Sequence, residues 1–216
     1  MARVSQEHLD ARRRQILDGA ALCFARNGFH ATSMQDVLKE VDLSAGAVYR
    51  YFSGKEELIA AIVTEVLEEV RSAFEAAGEQ DPPPPPDVMV GEVMGRMMGL
   101  RPGLAHEGVA VFPRLIVQVW AETLRNDELS KALNEGYVKV RTVWVGLVER
   151  YQDAGMMRAD VPAESVARTM IAAAQGYVAQ MALFGSAPVE VLQEGLRGVM
   201  SMSAPASGDP DGSRAG

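Results

Sequence analysis

The stretch from Ser33 to Leu58, SMQDVLKEVDLSAGAVYRYFSGKEEL, constrains this chain more than any other. Two short segments of helical periodicity flank a tight turn, and a third begins a few residues later. Thr32 or Ser33 can cap the first helix, because a hydroxyl accepts from a backbone N–H that the helix leaves orphaned. Gln35 and Asp36 each stand three residues beyond one of these caps, so a capping box fits either register. Val37, Leu38 and Val41 give a short apolar face that ends at Asp42. Ser44 caps the second helix, and Leu43 pairs with Val48 as a hydrophobic staple. That helix opens on Ala45, Gly46 and Ala47 and closes on Tyr49, Arg50 and Tyr51. A slim tip with aromatic and basic flanks suits a groove lined with phosphates.

The surrounding residues extend the pattern. RRRQIL (12–17) precedes Ala20, Ala21 and Phe24; GFHATS (28–33) follows, and then LSAGAVYRYFSGKEEL (43–58). In this order they resemble the DNA-binding domain of the TetR family of bacterial transcriptional regulators, over residues 16–62. Beyond that span the resemblance is one of helical layout. It implies an all-α fold, with an N-terminal three-helix helix-turn-helix domain at 8–54. A larger helical effector-binding and dimerisation domain would follow at 55–203; the composition of 204–216, APASGDPDGSRAG, makes it a disordered tail.

The resemblance also implies site residues. Lys55 matches a family lysine at the start of the fourth helix, where an ammonium and helix N–H groups can meet a phosphate. Tyr49 and Tyr51 match positions that touch phosphate and sometimes a base, whereas Val48 and Phe52 face the core. Thr32, Ser33, Gln35, Ser44, Ala45, Gly46, Ala47 and Arg50 complete the expected DNA contacts. Ala45 and Ala47 depart from the longer side chains of many relatives. Methyl groups can only sense a thymine methyl or permit close approach, which moves specificity toward Gln35, Tyr49, Arg50 and DNA shape. Arg12 to Arg14 are either a solvated face or a further phosphate contact.

The charge balance is −8 overall but unevenly spread. Residues 1–50 hold seven Lys/Arg against six Asp/Glu, and the rest hold 14 against 23. Phosphate attraction is local, since the Debye length is about 8 Å at physiological salt. The acidity therefore lies outside the part expected to meet DNA. A single cysteine, Cys23, rules out an internal disulfide and sits in an apolar helical stretch as packing. No run approaches about 18 uninterrupted apolar residues, and the first fifteen lack an apolar h-region, so a cytoplasmic protein is expected.

Helical periodicity continues to the end of the chain, with no alternating strand. Helices are expected at about 8–27, 33–41, 45–51, 55–77, 87–100, 106–126 (broken or begun anew at Pro113), 127–153, from Pro162 at N1 to Gly185, and from Pro188 to about Ser203. Prolines 82–86 form a stiff exposed connector. Met94, Met97, Met98, Phe112, Trp120, Tyr137 and Trp144 are candidates to line an adaptable apolar cavity, although such stripes also build ordinary cores. Arg141, His106 and Arg114 are either surface residues or candidates to orient a polar ligand group. Two recognition helices must reach successive turns of DNA about 34 Å apart, which requires a dimer. The small face of Ala172, Gly176 and Ala179, together with Leu147, Val148 and Tyr151, either packs within the chain or forms the four-helix dimer bundle that the resemblance implies.

His8, His30 and His106 are scattered without a metal-ligand repeat, and no glycine-rich phosphate loop or nucleophile elbow occurs. Neither an enzyme nor a cofactor is expected. Two readings remain: a homodimeric repressor released from double-stranded operator DNA by a small-molecule effector, or a ligand-binding or scaffold dimer that has lost specific DNA binding.

Overall fold

The computed structural model describes residues 6–80, 83–99, 105–106, 109–185 and 187–201. Nine helices occur among the described residues: α1 (Gln6–Asn27), α2 (Met34–Val41), α3 (Ala45–Tyr49), α4 (Lys55–Gly78), α5 (Pro86–Gly99), α6 (Val111–Thr123), α7 (Asp127–Asp153), α8 (Ala163–Phe184) and α9 (Val189–Met200). None of them is long and apolar enough to cross a membrane.

Local chemistry sets the first boundaries. Ile16, Leu17, Ala20, Ala21 and Phe24 are buried at helical spacing on one face of α1. Gly28 ends the helix with φ +88, a left-handed conformation that costs glycine little. Ser33 caps α2 by accepting from Asp36 N–H, and the Asp36 carboxylate accepts from Ser33 N–H at 2.9 Å, a complete capping box. Those Ser33 donors hold the Asp36 carboxyl below its usual range. At Gly19 a Cβ would collide with Val41, so glycine lets α1 and α2 approach closely.

α4 spans 24 residues, about 36 Å at 1.5 Å per residue. Its first turns pack beside α1, and the rest packs along α7, which in turn packs on α8. Gly136 is required at the α4–α7 crossing, because a Cβ there would strike Leu67. Trp144 is buried on α7 with its ring 4.7 Å from that of Phe74 on α4. α5 lies against α9, with Asp87 buried and paired to Arg197 at 2.9 Å.

Several boundaries differ from expectation. α3 stops at Tyr49 rather than 51, and Tyr51 and Phe52 N–H both turn back to the Val48 carbonyl. The helix expected from residue 106 begins at Val111, because Ala105–His106 (β1) and Val109–Ala110 (β2) pair as a short antiparallel ladder. Pro113 then falls in the first turn of α6, where its missing N–H leaves no bond unmade. Pro162 is the N-cap of α8 rather than N1, since its ψ of 130 is extended. α9 ends at Met200, with Ser201 as its C-cap.

The polyproline connector is not the exposed spacer that its composition suggests. Pro83 and Pro86 are buried, and Pro86 opens α5. The Tyr151 hydroxyl donates to the Pro84 carbonyl at 2.6 Å, and burial pushes that phenol up to about 12. Arg150 meanwhile donates to the carbonyls of Gly78 and Gln80, closing the end of α4. The 204–216 tail and the Arg101-Pro102-Gly103 stop lie outside the described residues.

Candidate DNA interface and effector cavity

α2 and α3 are joined by Asp42 and Leu43. Asp42 takes φ 51, a left-handed cap that a short polar side chain tolerates. Ser44 accepts from Ala47 N–H at 3.3 Å and sets the start of α3. Only Val48 of α3 is buried, at 0% exposed, with Phe52 at 3% just beyond. Ser44, Ala45 and Gly46 stand open to solvent, and a Cβ on Gly46 would meet nothing within 4 Å. Tyr49 is 49% exposed, which is high for a large aromatic. Ala47 and Tyr51 are half-buried, while Arg50 is exposed and places its guanidinium 5.6 Å from the Tyr51 ring centre. The slim tip therefore projects away from its own chain.

Ser33 and Gln35, at the start of α2, are also exposed. Two expected contacts are placed differently. Thr32 is 1% exposed, and its hydroxyl donates inward to Gly28 O at 2.8 Å and Cys23 O at 3.1 Å. It ties down the turn after α1, and its side chain has no route to a phosphate. Lys55 also turns inward, donating to the carbonyls of Phe29 at 3.0 Å, Thr32 at 3.2 Å and His30 at 3.5 Å. Its ammonium lies 4.7 Å from the centre of the Phe29 ring. The first turn of α4 also carries Glu56 and Glu57, with Glu57 accepting from Ser53, so it is not a bare anion site. Of the basic run in α1, Arg13 pairs with Glu65 and stacks on Phe52, which joins α1 to α4.

Lys55→Met would keep the stem against Phe29 and remove the donor to three carbonyls. A stability loss of about 1–2 kcal/mol is expected, with the salt dependence of operator binding unchanged. A salt slope reduced by about 1 would place the ammonium on a phosphate instead.

The second site is a cavity of about 1070 Å³ enclosed by α4, α5, α6, α7 and α8. α4 contributes Ile62, Val66, Val70 and Phe74 to its wall. Of the expected lining residues, Met94, Phe112, Trp120, Tyr137 and Trp144 are brought together there. The Met98 side chain lies outside the described residues, and Met97 supplies a thioether from the same helix. Arg141 is not in the wall; it lies against the Tyr137 ring at 5.7 Å and pairs with Glu164 at 3.4 Å. Arg114 is an exposed residue away from the cavity, and the His106 side chain is outside the described residues. The polar groups that do line the cavity include Asp127, Ser130, Lys131 and Asn134, on one face of α7. Their i, i+3, i+4, i+7 spacing continues into Tyr137 and Trp144, and is the signal by which they could have been found.

A third feature joins the two sites. The cavity-lining helix α6 turns another face to the end of α1. Gln118 donates to Ala25 O at 3.4 Å, and the buried Glu122 carboxylate meets His30 Nε2 at 2.9 Å. His30 lies in the turn held by Lys55, so α4 and α6 converge on residues 28–32.

An exposed, small-tipped second helix, set by a tight turn against a first helix anchored by Val37 and Val41, is the arrangement of a helix-turn-helix DNA reader. Residues 16–62 match the family model described as bacterial regulatory proteins, tetR family. The HTH-type transcriptional repressor Rv1474c of Mycobacterium tuberculosis is 28% identical over 183 residues, covering 84% of this chain and 88% of that protein. The HTH-type transcriptional regulator UidR of Escherichia coli is 26% identical over 188 residues, covering 87% and 90%. The solved structure of Salmonella enterica GusR is 28% identical, with a TM-score of 0.69 over 93% of this chain and all of that one. Residues 16–62 thus match the family's DNA-binding part, and the chain as a whole is similar to regulators of this kind.

Proposed function

We propose that this regulator is a homodimeric repressor that leaves its operator when a small molecule fills the α4–α8 cavity. One observation carries the reading: α4 is a single unbroken helix whose first residue grips the turn before α2 and whose later turns line the cavity. A ligand that moves α4 also moves the DNA-reading unit. α6 offers a second route through Gln118 and Glu122. To switch, the effector must favour the DNA-free conformation; a preference of about 100-fold corresponds to about 2.7 kcal/mol.

In this reading Ser33, Gln35, Ser44, Ala45, Gly46, Ala47, Tyr49, Arg50 and Tyr51 form the DNA face, and Lys55 positions it. The dimer would be built from α8 and α9, where Leu183, Phe184, Val191 and Val199 are all more than half exposed. Such large apolar side chains on neighbouring elements favour a partner over water. Leu147, Val148 and Tyr151 are excluded from that interface, since all three are buried within their own chain. Gly176 and Ala179 line the cavity, and Ala172 is exposed on α8.

Genomic fragments captured by the purified protein, placed before a reporter, provide the test. Expression should fall when the protein is present; unchanged expression with intact binding would contradict repression. The α6 route has its own test. Glu122→Gln removes the charge facing His30, and should increase amide exchange in residues 28–32 and weaken operator binding about tenfold. Unaltered exchange and affinity would exclude α6 as a transmitting arm.

A further inference from the structure

We propose that the effector is an anionic amphiphile, with an apolar chain inside the cavity and its headgroup at Lys131. This rests on the cavity being the effector site and adds the chemical class of its occupant.

The cavity is charged at one end only, and α8 adds the exposed amide of Gln175. Along α7 the lining residues run from Asp127 and Lys131 to Tyr137, Val140 and Trp144. The seventeen helical rises from Asp127 to Trp144 make this stripe about 25 Å long. The first end is the mouth: Asp127, Lys131 and Asn134 are exposed, and the lining residue Leu124 is 85% exposed. The other end is the floor, where Phe74, Met94, Met97, Val140 and Trp144 are each less than 10% exposed. The floor offers no charge and no amide, so a charged group there would lose its hydration with nothing in return. An apolar chain loses only water.

The headgroup must therefore stay at the mouth, where Asp127 and Lys131 are the charged side chains of the described lining. Asp127 stands in the first turn of α7, where the helix N-terminus already favours a negative charge. Lys131 has no such compensation, and among the described residues it makes no ion pair. Ser130 and Asn134 flank it with hydrogen-bonding side chains. A carboxylate-sized anion satisfies this end, and thioether and aromatic walls adapt to a flexible chain.

The two tryptophans of the chain, Trp120 and Trp144, both line the cavity, so intrinsic fluorescence reports its occupation directly. The full-length dimer is titrated with octanoate, decanoate and dodecanoate below their micellar concentrations, and with dodecanol and dodecyltrimethylammonium. Affinity should rise about fourfold per added methylene. Dodecanoate should bind about tenfold tighter than dodecyltrimethylammonium, and Lys131→Met should remove that advantage while leaving dodecanol binding unchanged. Affinity independent of chain length would overturn the apolar-chain assignment. A preference for the cation, or indifference to Lys131→Met, would overturn the headgroup assignment. Operator release is measured at the same concentrations. Chain-length-dependent binding without release supports the chemistry of the site and refutes the effector reading beneath it. Release by some other compound, with no dodecanoate binding, keeps that reading and refutes the amphiphile.

Discussion

Ala45→Glu is expected to weaken operator binding by at least about 100-fold while leaving the thermal midpoint unchanged. Ala45 is the first residue of α3 and is exposed to solvent. A carboxylate in a first helical turn is neutral or favourable for the fold, because it meets the positive end of the helix dipole. In a groove lined with phosphates the same carboxylate faces like charges, and such juxtaposition costs several kcal/mol. The substitution thus separates folding from DNA reading at one position. Anisotropy of a labelled operator fragment and calorimetry of the free protein measure the two effects. Ala45→Gln, equally long but neutral, should be hurt less. Full affinity in the glutamate variant would mean that the tip of α3 does not enter the groove.

Trp144→Ala should destabilise the free protein by about 3–5 kcal/mol, among the largest single losses that this core can suffer. The ring is 1% exposed, and it packs on Phe74 across the α4–α7 interface. Removing it joins new empty volume to a cavity that already exists, so the surrounding helices cannot collapse to recover the contacts. For a chain of this size the midpoint should fall by roughly 10 °C. An apolar ligand that occupies the enlarged space should restore part of that loss, because binding to the native state alone stabilises it by mass action. A loss below about 1 kcal/mol would show that Trp144 is not clamped between α4 and α7.

What could be read in advance divides along a physical line. Helix ends were legible wherever a cap lies within a few residues of its partner: Ser33 with Asp36, Ser44 with Ala47, and Gly28 after Phe24. The burial of Val48 and Phe52 was implied by the resemblance, whereas helical spacing alone left Met94, Phe112, Trp120, Tyr137 and Trp144 as either core or cavity wall. Contacts between distant segments were not legible. A lysine at a helix start and a threonine before a cap look like phosphate contacts, until Lys55 is seen on the carbonyls of residues 29–32 and Thr32 on that of Cys23. Five prolines look like a spacer until Tyr151, 67 residues away, holds the carbonyl of Pro84. His30 and Glu122 show no relation in sequence, because the pairing depends on how α6 meets the end of α1.

The central claim is that an alanine-tipped helix enters the major groove once per protomer, on successive turns of the duplex. Dimethyl sulfate footprinting on a genomic fragment selected by the purified protein tests it most directly, because guanine N7 faces the major groove and adenine N3 the minor. Two clusters of protected guanines, centred about one helical turn or a small multiple apart and on the same face, are predicted. Protection confined to adenine N3, or one cluster without a symmetric partner, would contradict it.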